Sequence, residues 1–484
     1  MASVKLLPAA QREFLILVTR AAACNPFSDE FDQLQLQIIG GKDVSPVERW
    51  NEELHKLHAA GLTNFKQVDD ADREILRSAC LYEIYHRYLS AFDQLIADQI
   101  AAGDRSVPVP FAKKALTLFT RRGFTADEAR RYFAVIFQVR RAFYFIHHGL
   151  VGHSECMKEL RRHLWNNVFT HDIRLYERHL WNRMEDFSTL LLGETGTGKG
   201  AAAAAIGRSG FIPFDEKRGC FAESFTKTFL ALNLSQFPET LIESELFGHR
   251  KGAFTGAIAD HDGVFARCSP YGAIFLDEIG DVSVPVQIKL LHVLQERTFA
   301  PVGSHEKLRF RGRVIGATNK PIEKLRGAGQ FRDDFFYRLC SDVITVPPLR
   351  QRIREEPAEL DDLLRLIVRR LTGQVAPEII ALLREALPAK YAWPGNVREL
   401  EQAVRRILLT RQYTGDPRAI APNLTGRLQA GIVDGSLDAD ALLAGYCKLL
   451  HERHATYEEV ARRTNLDRRT VKAYIEKHTT PTSS

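Results

Sequence analysis

The run Gly193-Glu194-Thr195-Gly196-Thr197-Gly198-Lys199 has the composition of a phosphate cradle. Its glycines let the backbone turn so that several N–H groups converge on one anion, and the start of a following helix adds positive potential. Lys199 would place a point charge on the outer phosphates. The apolar run Ser188–Leu192 ahead of the loop and the alanine-rich stretch Ala201–Ala205 behind it supply a strand and a helix in the required order. Gly200 stands where most such loops carry a Ser or Thr to ligate magnesium. The metal therefore falls to phosphate oxygens, water and a second acidic motif, Gly272-Ala-Ile-Phe-Leu-Asp277-Glu278, an apolar strand ending in two carboxylates. Asp277 is the candidate for the Mg2+ shell, and Glu278, one residue on, for polarising an attacking water. The chemistry these residues suit is hydrolysis of a nucleoside triphosphate.

A second constellation lies near the end of the chain. The segment Thr456–Tyr474 reads as helix, tight turn, helix, with Ala461, Leu466 and Val471 spaced to pack the pair and Asn465 where the turn needs a left-handed residue. Arg468, Arg469 and Lys472 then fall near the start of the second helix, where such side chains reach base edges and phosphates of double-stranded DNA. The plainer alternative is a helical hairpin with a basic, solvated face.

Composition bounds what can position these groups. At 484 residues and 45% hydrophobic content the chain builds several cores. Sixty-six Lys and Arg against 60 Asp and Glu leave a net charge of +6, so any nucleic-acid contact is local. The 7 cysteines are scattered without CxxC spacing, which fits reduced, structural thiols. Arg12 and Glu13 interrupt what would be a signal-peptide core around Phe14–Val18, and no uncharged apolar stretch reaches bilayer length. A cytoplasmic protein with no membrane partner is expected.

Along the chain, the texture predicts a multidomain fold. Residues 1–150 form an α-helical N-terminal domain, 151–347 an α/β P-loop ATPase core with a parallel sheet, and 348–411 a helical lid. A Gly- and Pro-rich linker covers 412–437, and 438–484 form the helix-turn-helix domain. Apolar spacing from Leu81 to Ile96 predicts one amphipathic helix, and Thr125 with Glu128 a capping box opening another that runs to Ile146. The aromatic-rich stretch Tyr132–His148 could line an effector pocket, but an all-round apolar helix is more often simply core. His147 and His148 lack acidic or sulfur partners at ligand spacing. Asn396, with Glu399 three residues on, predicts another capped helix start.

Between the phosphate loop and the acidic strand lies Glu243-Ser-Glu-Leu-Phe-Gly-His-Arg-Lys-Gly252-Ala253-Phe254-Thr255-Gly256-Ala257. This segment resembles the sigma-54-dependent activators, or bacterial enhancer-binding proteins, of the AAA+ ATPase superfamily, and the resemblance extends over about residues 151–410. It implies that Gly252–Ala257 tip a pore loop that touches sigma-54 when ATP is bound, with Phe254 as apolar contact and Thr255 as hydroxyl. It also implies that Asn233, ending Phe229-Leu-Ala-Leu-Asn233, orients Glu278, and that Asn319, ending Arg313-Val-Ile-Gly-Ala-Thr-Asn319, senses the γ-phosphate. In Phe331-Arg332-Asp-Asp-Phe-Phe-Tyr-Arg338, Arg332 or Arg338 reaches a neighbouring subunit's nucleotide, a task for a permanently charged donor fork. Arg398, in Trp393-Pro-Gly-Asn-Val-Arg398, contacts nucleotide in cis. Two features depart from the family. Gly200 replaces a common glutamate, and the stretch from about Ser209 to Thr228 is longer than usual, as a surface insertion would be.

The function so implied is ATP- and Mg2+-dependent activation. A homo-oligomeric ring, a hexamer, binds enhancer DNA and remodels the sigma-54 RNA polymerase holoenzyme. Two other readings compete with it: an ATPase that remodels a different protein or DNA, and a DNA-bound repressor whose nucleotide site is dead because of Gly200.

Overall fold

In a computed structural model the described residues are 6–41, 43–388, 391–416, 424–433 and 435–477. The chain divides into two compact units, Met1–Ile380 with Gly395–Glu401, and Ala381–Pro394 with Gln402–Ser484.

The first unit opens with α1 (Ala9–Ala23), α2 (Asp29–Ile39), α3 (Pro46–Ala59), α4 (Asp70–Arg87), α5 (Leu89–Ala102), α6 (Ala112–Arg122) and α7 (Ala126–Gly149). The single helix expected over Leu81–Ile96 is two. Tyr88, at φ −108° and ψ 11°, breaks it, and its ring stacks on Phe111 with centroids 5.5 Å apart. Apolar spacing persists through the break because both halves bury a face, so periodicity alone did not reveal it. The capping box at Thr125 and Glu128 does open α7.

After α8 (Glu155–Phe169) and the one-turn α9 (Ile173–Leu175), the chain enters a five-stranded parallel sheet in the order β4-β5-β8-β1-β9. Its strands are β1 (Thr189–Leu192), β4 (Phe229–Asn233), β5 (Ala273–Asp277), β8 (Arg313–Thr318) and β9 (Asp342–Thr345). The two short strands β2 (Phe214–Asp215) and β3 (Cys220–Phe221) form a separate antiparallel pair. So do β6 (Thr298–Phe299) and β7 (Leu308–Arg309).

Successive side chains of the central strands alternate between two cores. Leu191, Phe275 and Ile315 join one that is continuous with the N-terminal helices, whereas Leu190, Ile274 and Val314 join the other. Both faces are thereby covered, as an all-parallel sheet requires.

The expected surface insertion at 209–228 is corrected by the structure. Its hairpin is sunk against α7, where Phe137 stacks on Phe221 with centroids 4.3 Å apart, Phe133 meets Phe214 at 5.0 Å and Phe145 meets Phe225 at 5.3 Å. The extra residues are aromatic because they bury a face of the N-terminal helices. No packing boundary falls near residue 150.

Helices α10 (Lys199–Gly207), α11 (Glu239–Phe247), α12 (Val264–Arg267), α13 (Val284–Glu296), α14 (Ile322–Gly327) and α15 (Asp333–Leu339) alternate with the strands. The helical segment that follows comprises α16 (Leu349–Glu355), α17 (Ala358–Thr372), α18 (Pro377–Ala386) and α19 (Asn396–Thr410).

In the second unit, the stretch expected as structureless linker carries a helix, Leu424–Val433. It exists because Leu428 packs closely on Gly445 of the helix Ala439–His454. Part of that linker, 417–423 and 434, lies outside the described residues. The helices Tyr457–Thr464 and Arg468–Lys477 follow, and Val460, Val471, Cys447, Leu450 and Ile475 form their shared core. No helix among the described residues is long and apolar enough to cross a membrane.

Candidate active site

Every chemically suggestive residue of the sheet sits at or just past the carboxyl end of a parallel strand, where open α/β sheets collect ligands. The phosphate loop follows β1, Asp277 ends β5 with Glu278 next, Asn233 ends β4, and Asn319 follows β8. Register fixes their neighbourhood: Asn233 lies opposite Asp277 and Leu192 opposite Thr318.

The loop Gly193–Gly198 delivers Lys199 as the first residue of α10. Lys199 is 7% exposed, and its Nζ donates to the carbonyls of Gly193 at 2.8 Å and Glu194 at 3.2 Å. Burial holds its ammonium below the usual lysine range, against the pull of the Glu278 and Asp277 carboxylates. Gly196, at φ +79°, approaches Gly395 so closely that a Cβ would stand 2.3 Å from the Gly395 carbonyl. Only glycine fits there. Thr197 closes the loop on itself, its Oγ1 donating to the Glu194 carbonyl at 2.9 Å. Gly200 is different. A Cβ there would meet only Phe275, at 3.9 Å, so packing does not demand glycine.

Glu278 adopts a left-handed conformation, φ +57°, and its Oε2 accepts from the Asn319 backbone N–H at 3.3 Å. The Asn319 amide in turn donates to Thr195 Oγ1 at 2.7 Å. One short chain of hydrogen bonds thus runs from the acidic motif through Asn319 to the phosphate loop. Asn233 is not part of it. Its Oδ1 accepts from the Ser235 N–H at 3.0 Å and hydroxyl at 2.7 Å, so the structure does not pair it with Glu278 as the resemblance implied. A strand-ending asparagine readily captures the backbone two residues on, and here that local bond wins.

The cleft around these residues has a volume of about 360 Å3. One end is polar, with Lys199, Asp277, Glu278 and Arg398, and the other is apolar, with Leu150, Val151, Leu160 and Leu363. Sequence reasoning missed this apolar end, which comes from three separate segments and carries no motif. It also missed two residues that brace the loop. Arg350 forms a bidentate ion pair with Glu194, at 2.7 and 2.5 Å, which holds that carboxyl below its usual range. Asn396 donates to Glu194 and to the Thr195 carbonyl and accepts from the Leu349 N–H. The Gly395 N–H, at the opening of α19, is satisfied by Glu399.

Arg332 and Arg338 do not line the cleft. Arg332 forms a bidentate pair with Asp334 on the surface, at 2.9 and 2.6 Å, and Arg338 Nε donates to the Leu294 carbonyl at 3.0 Å.

Gly252–Ala257 tip a loop between α11 and α12. Reciprocal backbone bonds between His249 and His261 close its base, and the Gly252 N–H donates to the Ala257 carbonyl at 2.8 Å. Arg250 braces it through Asp260 and Glu306. Ala253 packs on Gly303, beside the β6–β7 ribbon. Phe254 stays 37% exposed while resting edge-on against His249. Ile258, just beyond the motif, is 84% exposed, a contact candidate that sequence reasoning did not single out.

In the second unit Asn465 adopts φ +55°, as its place in the turn demanded. Arg468, Arg469 and Lys472 are exposed along the last helix, with Arg468 paired to Glu458 at 2.9 Å and Lys472 to Glu476 at 3.6 Å. Among the described residues no cluster of His, Cys, Asp and Glu has the geometry of a metal site.

Residues 172–345 match the family model of the Sigma-54 interaction domain. The sigma54-dependent transcriptional activator SfnR of Pseudomonas putida is 41% identical over 226 residues, 46% of this chain and 57% of that protein. The Nif-specific regulatory protein of Azotobacter vinelandii is 38% identical over 280 residues, 58% of this chain and 46% of its own. The transcriptional regulatory protein ZraR of Klebsiella oxytoca is 36% identical over 341 residues, 68% of each chain. The match thus spans roughly half to two thirds of these relatives. With the interaction domain matched and one such relative covered over two thirds of its length, this chain belongs to the sigma-54-dependent transcriptional activators.

Proposed function

We propose that the chain hydrolyses ATP and uses the energy to move the Gly252–Ala257 loop against RNA polymerase carrying sigma-54, while its last two helices hold enhancer DNA. The observation that carries this reading is the hydrogen-bond chain Glu278–Asn319–Thr195. A carboxylate able to polarise water is wired to the loop that would hold the phosphates, so a change at the γ-phosphate is felt at both.

The cleft fits the substrate in parts. Its apolar end suits a purine ring, the backbone N–H groups of Gly196, Gly198 and Lys199 suit the phosphates, and Lys199 and Arg398 supply positive charge. Asp277 would hold Mg2+, which would supply charge neutralisation at the phosphates. Gly200 adds no ligand to that shell. Arg332 and Arg338, lying outside their own chain's cleft, are suited to complete the site of a neighbouring copy, which favours a ring, a hexamer in this reading. Their donor forks are reachable once Arg332 leaves Asp334 or Arg338 leaves Leu294.

The loop is braced at its base and exposed at Phe254, so it can travel as a body with the β6–β7 ribbon. In the second unit, Arg468, Arg469 and Lys472 on one exposed stretch suit phosphate and base contacts.

The deciding experiment measures ATP turnover and sigma-54 contact together. Glu278→Gln should lower turnover by about 100-fold or more. Thr255→Ala should leave turnover intact and abolish retention of sigma-54 in the presence of a transition-state mimic. Normal promoter activation by Thr255→Ala would overturn the proposal.

A further inference from the structure

Glu194, the second residue of the phosphate loop, works through both its side chain and its main chain. Its side chain meets two others. Arg350, the second residue of α16, lays its guanidinium fork against both carboxylate oxygens, and Asn396, the first residue of α19, donates from Nδ2 to Oε2 at 3.2 Å. Its main-chain carbonyl serves the loop, accepting from Lys199 Nζ at 3.2 Å and from Thr197 Oγ1 at 2.9 Å.

The opening of α19 is joined to the loop at further points. Asn396 Nδ2 also donates to the Thr195 carbonyl, and the Val397 N–H donates to the Gly196 carbonyl, each at 3.1 Å. Asn396 is 0% exposed and left-handed, φ +54°, a conformation that asparagine tolerates better than most residues. Its Oδ1 accepts from the Leu349 N–H at 2.7 Å, which ties the start of α16 to the start of α19. Arg398 follows Asn396 by two residues and lines the polar end of the cleft, so the place of Asn396 decides where that guanidinium enters. Both cations suited to an outermost phosphate thereby take their positions from Glu194, Lys199 through its carbonyl and Arg398 through its side chain.

The ion pair itself is half exposed, with 47% of the Arg350 side chain and 42% of the Glu194 side chain open to solvent. A pair so exposed adds little to folding stability. What its bidentate fork supplies is direction, because two parallel hydrogen bonds fix the carboxylate plane as well as its distance.

We propose that Glu194 and Arg350 are positioning residues that set how the cleft distinguishes a nucleoside triphosphate from a diphosphate. This role rests on the ATP-hydrolysing reading above. A diphosphate is held by the loop N–H groups and by the apolar end around Leu150, Leu160 and Leu363, and neither depends on the pair. The additional charge of a triphosphate has to be met by Lys199 and Arg398 at a fixed separation. With the pair broken, Glu194 no longer holds Asn396 in one place, and Arg398 loses its registration against the loop.

The test compares the full chain with Arg350→Gln, Arg350→Lys, Glu194→Gln and the double variant Glu194→Gln/Arg350→Gln. Calorimetry measures the binding of ADP and of ATPγS with Mg2+, and ATP turnover is followed alongside. Arg350→Gln should weaken ATPγS by about 10-fold and ADP by less than about 2-fold, the size of one misplaced charged contact. Thermal midpoints should stay within about 3 °C, since the pair is exposed. Arg350→Lys keeps the charge without the fork and should fall between wild type and Arg350→Gln. The double variant should lose no more than the worse single variant, because both substitutions remove one interaction. Glu194→Gln gives the same comparison should Arg350→Gln fold poorly. Equal losses for ADP and ATPγS, additive losses in the double variant, or ATPγS binding indifferent to both single substitutions would overturn the assignment. A chain whose ATPγS-to-ADP ratio collapses in Arg350→Gln but which never hydrolyses ATP overturns the functional reading and leaves the positioning role standing.

Discussion

Two buried arginines hold the elements around the phosphate loop, and they do so by different physics. Between α16 and α17, Arg352 is 4% exposed, and its Nε meets Glu359, itself 0% exposed, at 2.6 Å. Arg352 also donates to the Val151 carbonyl at 2.5 Å, and Glu359 accepts from the Ser154 N–H at 2.7 Å. The pair thereby pins the segment that lines the apolar end of the cleft. Toward the N-terminal helices, Arg141 is equally buried but meets no carboxylate. Its Nη1 and Nη2 donate to carbonyls at the end of α10 while its Nε has no hydrogen-bond partner, and it lies over the rings of Phe137 and Phe225, at 4.8 and 5.6 Å. Its counter-charge is the negative end of a helix dipole and two ring faces. Burial pushes this guanidinium down to about 9.

The lesson is that removing one charge has different consequences at the two places. Between α16 and α17 it strands an opposite charge in the interior. At α7 it strands only carbonyls.

The largest effect should therefore come from Glu359→Gln, which leaves Arg352 buried without its partner. A loss of about 3–5 kcal/mol is expected from denaturant midpoints. Nucleotide affinity should fall with it, since Glu359 orients the Arg352 fork that holds the Val151 carbonyl and itself accepts from the Ser154 N–H. If Glu359→Gln proved as mild as a change at Arg141, the contrast between ion pair and dipole would be wrong.

The second effect belongs to the N-terminal side. His86 titrates at about 4 in the folded chain against 6.5 as the ordinary value. The unfolded chain thus binds a proton first as pH falls. Stability is fully present above about 6.5 and is lost as pH drops through 4, by about 3 kcal/mol in all. His86→Phe should remove that component, which parallel pH series on the two proteins would detect. An unchanged slope would mean that His86 is not held neutral.

Arg141→Met comes third, with a loss of about 1–3 kcal/mol. The carbonyls of Arg208 and Gly210 lose charged donors, while the cost of burying the guanidinium disappears. Hydrogen exchange should show loosening confined to the end of α10 and the 209–228 hairpin. A loss matching Glu359→Gln would reveal a carboxylate-like partner for Arg141 that the geometry does not contain.

What the sequence disclosed divides along the same line. The gathering of Lys199, Asp277, Glu278 and Asn319 at strand ends was legible because each lies in a short motif directly after or at the end of an apolar run. Asn465 was legible because the turn requires a left-handed residue. Arg141, Arg350, Arg352 and Glu359 were not, since each acts through partners far away in sequence, and any of them alone reads as a surface charge. Helix α7 was half legible. Its aromatic character was evident, but what packs on it depends on residues far away in sequence. Asn233 shows what the family pattern leaves open, since its Oδ1 accepts locally from Ser235. The break at Tyr88 and the helix Leu424–Val433 were hidden because tertiary contacts, not local signals, decide them.

The smallest effect sharpens the comparison at the phosphate loop itself. Gly200 is the second residue of α10, the helix that Arg141 holds at its other end. A side chain at 200 would meet only Phe275 at 3.9 Å, so Gly200→Ser should fold normally and gain up to about 1 kcal/mol from helix propensity. Its hydroxyl would add the metal ligand that the loop otherwise lacks. The Mg2+ concentration giving half-maximal turnover should fall, while stability moves little. If the metal requirement stayed the same, Asp277 with phosphate oxygens and water already would complete the shell, and glycine at 200 would be neutral for the chemistry. If turnover rose from nothing to measurable, the wild-type site would be the dead one, and the hydrolytic reading would need to give way to nucleotide binding alone.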